Sequence, residues 1–210
     1  MCFHETRMFA WLLDLSMRHR DLVPYRQRTI AAARGMVLEI GVGSGLNLTL
    51  YSRDVNRVYA IDPSSELLKF ALRRNTEAVD TVLVRGSAEM LPFKNGTFDA
   101  IVTTWTLCTI PNPRKALTEM RRVLDSRGRL LFVEHGRAPD RGVARWQDWL
   151  TPLWKRISGG CHLNRKVDEL IREAGFRVDE LRTGYLRGRN PFAYMYEGQA
   201  SPAAVRMAAE

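Results

Sequence analysis

Three glycines in five positions, Gly41, Gly43 and Gly45, follow the apolar run Val37-Leu38-Glu39-Ile40, and Asp62 closes a second apolar run roughly 20 residues further on. Residues without side chains let a backbone touch a ligand. An acid at the end of the next strand accepts both hydroxyls of a ribose, and Pro63 beside it is read as part of the same site. A dinucleotide site shares this outline, but its glycines follow G-x-G-x-x-G, whereas these follow G-x-G-x-G with Glu39 two residues ahead. A carboxylate there repels a pyrophosphate and suits a ligand carrying an ammonium and a sulfonium. The implied ligand is S-adenosylmethionine, leaving as S-adenosylhomocysteine.

Further along, Gly86-Ser87-Ala88-Glu89 follows the third expected strand, where an exposed amide and a short polar side chain at Ser87 and Ala88 can read an adenine edge. Thr104 and Trp105 leave the fourth strand where the methionine part of the ligand should end, which makes them contacts for cofactor or acceptor. His135, at the carboxyl end of the fifth strand, and His162, in a Gly-Gly loop, have the pKa range to take a proton from an acceptor, with Cys161 packing nearby instead of acting as a nucleophile. No metal is expected. The three cysteines, Cys2, Cys108 and Cys161, show neither a C-x-x-C pair nor a structural-zinc spacing, and reduced thiols are the default.

The elements that must position these residues alternate. Val37–Ile40, Arg57–Ile61, Thr81–Val84, Phe98–Thr103, Arg129–Val133, Phe176–Leu181 and Phe192–Tyr196 read as strands. Between them lie a helix expected after the glycine turn, one over 63–74 capped by a hydroxyl, one opened by Asn112-Pro113, a tryptophan-rich one over 143–156, and one over 165–174 closed by Gly175. The pattern predicts an α/β fold, a doubly wound Rossmann-like sheet of seven mostly parallel strands. Phe9, Leu12, Leu13 and Met17 form a helical stripe ending in Arg18, His19 and Arg20, and a second helix over 25–33 stops at Gly35. These give a helical cap or lid over 1–34, ahead of a ligand-binding domain over 35–200, with a frayed tail after Gln199.

At 210 residues the chain accommodates one α/β domain. It has no apolar run near the roughly 18 residues needed to cross a bilayer and no signal-peptide pattern, so a cytoplasmic protein is expected, with peripheral membrane contact through the amphipathic start as a further expectation. The net charge of +9 is spread over scattered arginines with no aromatic interleaving, and no nucleic-acid partner is expected. The oligomeric state is not legible.

Val37–Gly45, Asp62, Gly86–Phe93, Phe98-Asp99 and Arg122-Val123-Leu124 together resemble, in order, the motifs of class I S-adenosylmethionine-dependent methyltransferases of the type-11 group. The resemblance implies that the glycine loop holds methionine and ribose, that Asp62 holds the ribose hydroxyls and that Ala88 lies beside adenine. Ser87 stands where an aspartate is common, and Ser126-Arg127-Gly128 replaces the usual Pro-Gly-Gly. Leu107-Cys108-Thr109-Ile110, Glu134-His135, Trp146-Gln147, Pro152-Leu153-Trp154-Lys155 and Gly160–Arg165 are similar to the membrane-associated thiol methyltransferases of animals and their bacterial relatives. The expectation is methyl transfer to a small-molecule or lipid-like acceptor, a thiol ahead of an amine. Methylation of a phospholipid or quinone at a membrane surface is the enzyme alternative. A cofactor-binding protein without turnover is the alternative of another class.

Overall fold

The computed structural model describes residues 6–75 and 79–203. Seven strands form one sheet in the order β3-β2-β1-β4-β5-β7-β6, with β1 (Gly35–Ile40), β2 (Val55–Asp62), β3 (Thr81–Arg85), β4 (Phe98–Thr104) and β5 (Leu124–His135) pairing in parallel. β7 (Tyr194–Pro202) runs antiparallel to both β5 and β6 (Phe176–Tyr185). Strand order reverses between β1 and β4, and open α/β sheets bind ligands at such a switch point, outside the carboxyl ends of the strands.

Both faces of the central strands are covered, so they read as continuous apolar runs instead of alternating ones. Leu38, Ile101 and Phe132 point into one core layer, filled by the Ala116, Leu117, Met120 and Val123 stripe of α4 (Pro113–Val123) and by Ile171 of α6 (Val167–Glu173). Their chain neighbours Val37, Val102 and Leu131 point into the other, against Ile30 of α2 (Val23–Ala31) and Ala71 of α3 (Ser65–Arg74). Local signals set the helix starts: Asn112 Oδ1 accepts from Lys115 N at 3.0 Å ahead of Pro113, and Ser64 Oγ accepts from Leu67 N at 3.3 Å.

Several expected elements take a different form. The segment between the glycine turn and β2 holds a single 3-10 turn, Leu48–Leu50, and no α-helix. Asn47 and Tyr51, which flank this turn, both donate to Glu39 and tie the segment to β1. Gly35 starts β1 and does not cap α2, whose C-cap is Ala32. The expected frayed tail after Gln199 does not begin there: β7 continues to Pro202, with Ala200 fully buried and Phe176 paired to Pro202, while residues 204–210 lie outside the described residues. A boundary at residue 34 also cuts through the core, because Ile30 and Ala33 share one core cluster with Val37, Val102 and Leu131, and Arg28 forks onto Glu197 of β7 at 2.7 and 2.8 Å.

α1 (Arg7–Met17) packs against α3 and not on the sheet, over the carboxyl edge. Asp14 pins it to α3 by accepting from Arg74 at 2.6 and 2.9 Å, and Arg18 closes the same carboxylate at 2.5 Å. Burial alone would raise the Asp14 pKa, but Arg74, Ser44 and Arg18 together hold it at about 2. Among the described residues, no helix is long and apolar enough to cross a membrane.

Candidate active site

A cleft of about 480 Å³ opens at the carboxyl ends of β1, β2 and β4, within the usual size range of small-ligand sites. Gly41, Gly43, Asp62, Pro63, Ser87 and Ala88 line one end; Thr104 and Trp105 line it further along. Gly41 has a φ of +69°, and a Cβ there would overlap the Thr106 side chain, so only glycine lets the loop turn beneath the ligand space. Gly43 N–H donates to Asp62 Oδ2 at 2.9 Å while Ser64 N–H donates to Oδ1 at 2.8 Å. Asp62 is therefore fixed by two backbone donors, with lone pairs left over on a side chain that borders the cleft. Burial raises its pKa. A cradle without side chains beside a buried acceptor fits the ribose and methionine portions of S-adenosylmethionine, and the short Gly86-Ser87-Ala88 edge leaves room for a flat base. Ser87 Oγ also accepts from Glu89 N at 3.1 Å, so it shapes that turn as well as lining the cleft.

Two expected cofactor contacts lie elsewhere. Glu39 is 1% exposed and does not line the cleft: its Oε1 accepts from Asn47 Nδ2 at 2.8 Å and its Oε2 from Tyr51 OH at 2.8 Å. The carboxylate is turned to internal donors and away from the cleft. Gly45 does not line the cleft either. A Cβ there would press on the Ala71 backbone, so this glycine serves the approach of α3.

Glu39 instead anchors a polar network that sequence spacing did not reveal. Asn47 Nδ2 also reaches Thr104 Oγ1 at 3.0 Å, and Asn47 Oδ1 accepts from Arg26 Nη1 at 2.8 Å. Arg26, buried enough that its pKa falls to about 10, lies over the Trp105 ring at 4.7 Å and borders the cleft. Its guanidinium suits a ligand carboxylate. Trp105 has φ +51°, the one positive φ outside glycine among the described residues, a conformation that costs about 1–2 kcal/mol. Trp105 N–H donating to Val133 O at 2.8 Å and the stacked Arg26 hold it there. Glu134, fully buried at the end of β5, supports the same loop: its Oε1 accepts from Thr103 Oγ1 at 3.0 Å, Thr106 N at 2.9 Å and Leu107 N at 3.0 Å.

Burial pushes the Glu39 pKa up to about 7, against the pull of Tyr51 and Asn47. The unfolded chain releases this proton near the ordinary value of 4.5, so between that pH and about 7 the folded state binds more protons. Stability should then fall as pH rises through this window, by about 3 kcal/mol in all. Glu39→Gln is expected to flatten the slope, which urea unfolding of both proteins at about pH 5 and about pH 7.5 will read; parallel slopes would place the pH dependence in another group.

The expected catalytic histidines are not in the cleft. His135 Nε2 meets Cys161 Sγ at 2.9 Å, and His162 Nδ1 lies 3.3 Å from the Cys108 carbonyl. Neither borders the space where an acceptor would sit. Alternation along β5 explains the miss: Glu134 takes the direction of the β4 loop, and its neighbour His135 points toward the loop after α5 (Arg141–Ile157). Burial lowers the His135 pKa, but Cys161 and the charge of Glu134 together leave it raised, whereas burial and Arg165 lower that of His162.

Much of the remaining lining is apolar. Phe9, Leu13 and Met17 of α1 face Trp105 and Ile110, with Ser158 and Gly159 closing the rim. Among the described residues, the titratable side chains lining the cleft are Asp14, Arg26 and Asp62.

The family model for a methyltransferase domain, type 11, matches residues 38–132. The chain is 34% identical over 150 residues to thiol S-methyltransferase TMT1B of Rattus norvegicus, covering 69% of this chain and 61% of that protein. It is 39% identical over 124 residues to phosphatidylethanolamine N-methyltransferase of Cereibacter sphaeroides, covering 56% and 60%. Thus it spans about three fifths of the length of these curated relatives. A solved S-adenosylmethionine-dependent methyltransferase of Thermotoga maritima superposes with a TM-score of 0.67 at 22% identity, over 95% of this chain and 98% of that one, a likeness of fold.

Proposed function

The chain belongs to the class I S-adenosylmethionine-dependent methyltransferases of the type-11 group, and on that premise we propose that it methylates a small apolar acceptor, a thiol ahead of amines and phenols. The cofactor supplies a sulfonium methyl open to attack by a nucleophile. Asp62 accepts from the ribose hydroxyls, the Gly41 to Gly43 backbone passes beneath the ligand, and Arg26 pairs with its carboxylate. Phe9, Leu13, Met17, Trp105 and Ile110 strip water from the acceptor and hold it in line, which is most of what such a transfer asks of a protein.

The observation that carries the choice of acceptor is the set of charged groups around the cleft. Asp14, held at about 2 by its arginines, is a poor base; Asp62 is engaged by two backbone donors; Arg26 holds its protons. Among the described residues no histidine or cysteine lines the space, so the favoured acceptor is one that ionises unaided. A thiol, with a pKa near 8.5, does so more readily than a phenol or an alkylamine near 10. The name of the Rattus norvegicus relative supports the same reading.

A screen with labelled S-adenosylmethionine against thiols, amines, phenols and phospholipid vesicles tests this. Apolar thiols should be methylated, with a rate that rises about tenfold per pH unit below each thiol's own pKa. Turnover of amines but not thiols, or one rate-controlling pKa shared by all thiols, would overturn it.

A second reading has its own observation. α5 exposes Trp146, Trp149, Leu153 and Ile157, and α1 exposes Met8, Trp11, Leu12 and Leu15. Apolar stripes beside Arg145, Lys155 and Arg156 suit the surface of an anionic bilayer. A lipid acceptor reached from that surface accords with the name of the Cereibacter sphaeroides relative, and methylation confined to the vesicle arm of the screen would favour it.

A further inference from the structure

Behind the acceptor wall, three donor atoms from distant parts of the chain converge. Cys108 follows β4, His135 ends β5 and Cys161 lies in the loop after α5; their two Sγ atoms and the imidazole nitrogen all lie within 4.8 Å of one another. Cys161 Sγ and His135 Nε2 are 2.9 Å apart. Both thiols are buried, at 2% and 6% exposure, both are free, and none of the three residues lines the cleft.

We propose that Cys108, His135 and Cys161 form a Cys2His site for one thiophilic cation of the zinc(II) class. Zinc–sulfur bonds of about 2.3 Å and zinc–nitrogen bonds of about 2.0 Å at tetrahedral angles set donor separations of about 3.5–3.8 Å. With all three donors within 4.8 Å of one another and one pair at 2.9 Å, shifts of about 1 Å or less bring them to that spacing. The donor chemistry matches as well. Two sulfurs and one imidazole form a soft donor set, and the Trp154 indole N–H, 3.3 Å from Cys161 Sγ, is an outer donor able to orient a bound thiolate. On binding, Cys108 gives up one proton and the Cys161–His135 pair another, as two sulfur–metal bonds and one nitrogen–metal bond form. Two thiolates and one divalent cation sum to zero, which suits a buried place. The nearby charges of Glu134 and Arg165 offset each other. A fourth position remains for water or another small donor.

Such a site would tie down the acceptor wall. Thr109 and Ile110 directly follow Cys108, and Ser158 and Gly159 directly precede the Gly160-Cys161 pair; all four border the cleft. The two loops already meet where His162 N–H donates to Cys108 O at 2.8 Å and where Arg165 donates to Leu107 O.

The test uses the full chain carrying Cys2→Ser, stripped with a chelator under reductant and titrated with cobalt(II), then zinc(II). Expected are a sulfur-to-cobalt charge-transfer band and tetrahedral d–d bands saturating at one equivalent, displacement by zinc, protection of both remaining thiols from a thiol reagent, and a raised melting temperature. Adding Cys161→Ser or His135→Ala should weaken binding about 100-fold or more. Absence of the charge-transfer band in the Cys2→Ser protein, which needs no change in the cluster, would overturn the site. So would unchanged thiol reactivity with zinc present, or a Cys108–Cys161 disulfide that forms in spite of it.

Discussion

Replacing Asp62 with alanine is expected to weaken binding of S-adenosylhomocysteine roughly 10- to 150-fold while the protein stays folded. The carboxylate closes β2 at the switch point and accepts from Gly43 N and Ser64 N at 2.9 and 2.8 Å, so its position is set before any ligand arrives. Hydrogen bonds to a charged acceptor contribute about 1.5–3 kcal/mol, more where water is scarce, and Asp62 is 6% exposed. Asp62→Asn keeps one acceptor oxygen and should fall between the two. Calorimetry on proteins that melt cooperatively reads the effect; equal affinities across the series would move the ribose away from β2.

Glu134→Ala should carry the largest cost in stability, about 3–5 kcal/mol, which for a chain of this size lowers the melting temperature by about 6–20 °C. One carboxylate oxygen satisfies the Thr103 hydroxyl and the amides of Thr106 and Leu107, and alanine would leave all three donors without it in the interior. Those donors belong to the turn that holds Trp105 at positive φ, so the surviving fold should also turn over acceptor more slowly. Because burial raises the Glu134 pKa, the neutral Glu134→Gln variant should lose less. An alanine variant melting within a degree or two of the parent would show that the turn is held by other contacts.

Much of the fold could be read directly, because strand runs, caps and glycine turns are local signals. Asn112-Pro113 and Ser64 announce the starts of α4 and α3 through their own hydrogen bonds. Gly41, Gly43 and Asp62 were legible for the same reason: a tight turn and a strand-end acid need only nearby sequence. Glu39 misled because its type is visible but its direction is not. It lies in a central strand covered on both faces, and the partners that consume it, Asn47 and Tyr51, follow no helical or strand period. Arg26 looked like one surface cation among many until α2 buried it over Trp105. The Cys108, His135 and Cys161 cluster was hidden because each donor comes from a different loop or strand end, and spacing along the chain carries no trace of such a meeting.

The account rests on a nucleoside held at the carboxyl edge of β1 and β2 with the reacting end directed to the apolar wall. Crystallographic density for bound S-adenosylhomocysteine tests this most directly. The account predicts both ribose hydroxyls on the Asp62 carboxylate, the base against Ser87 and Ala88, and the sulfur facing Trp105 and α1. Ligand density elsewhere on the molecule, or a ribose in the cleft without contact to Asp62, would contradict it.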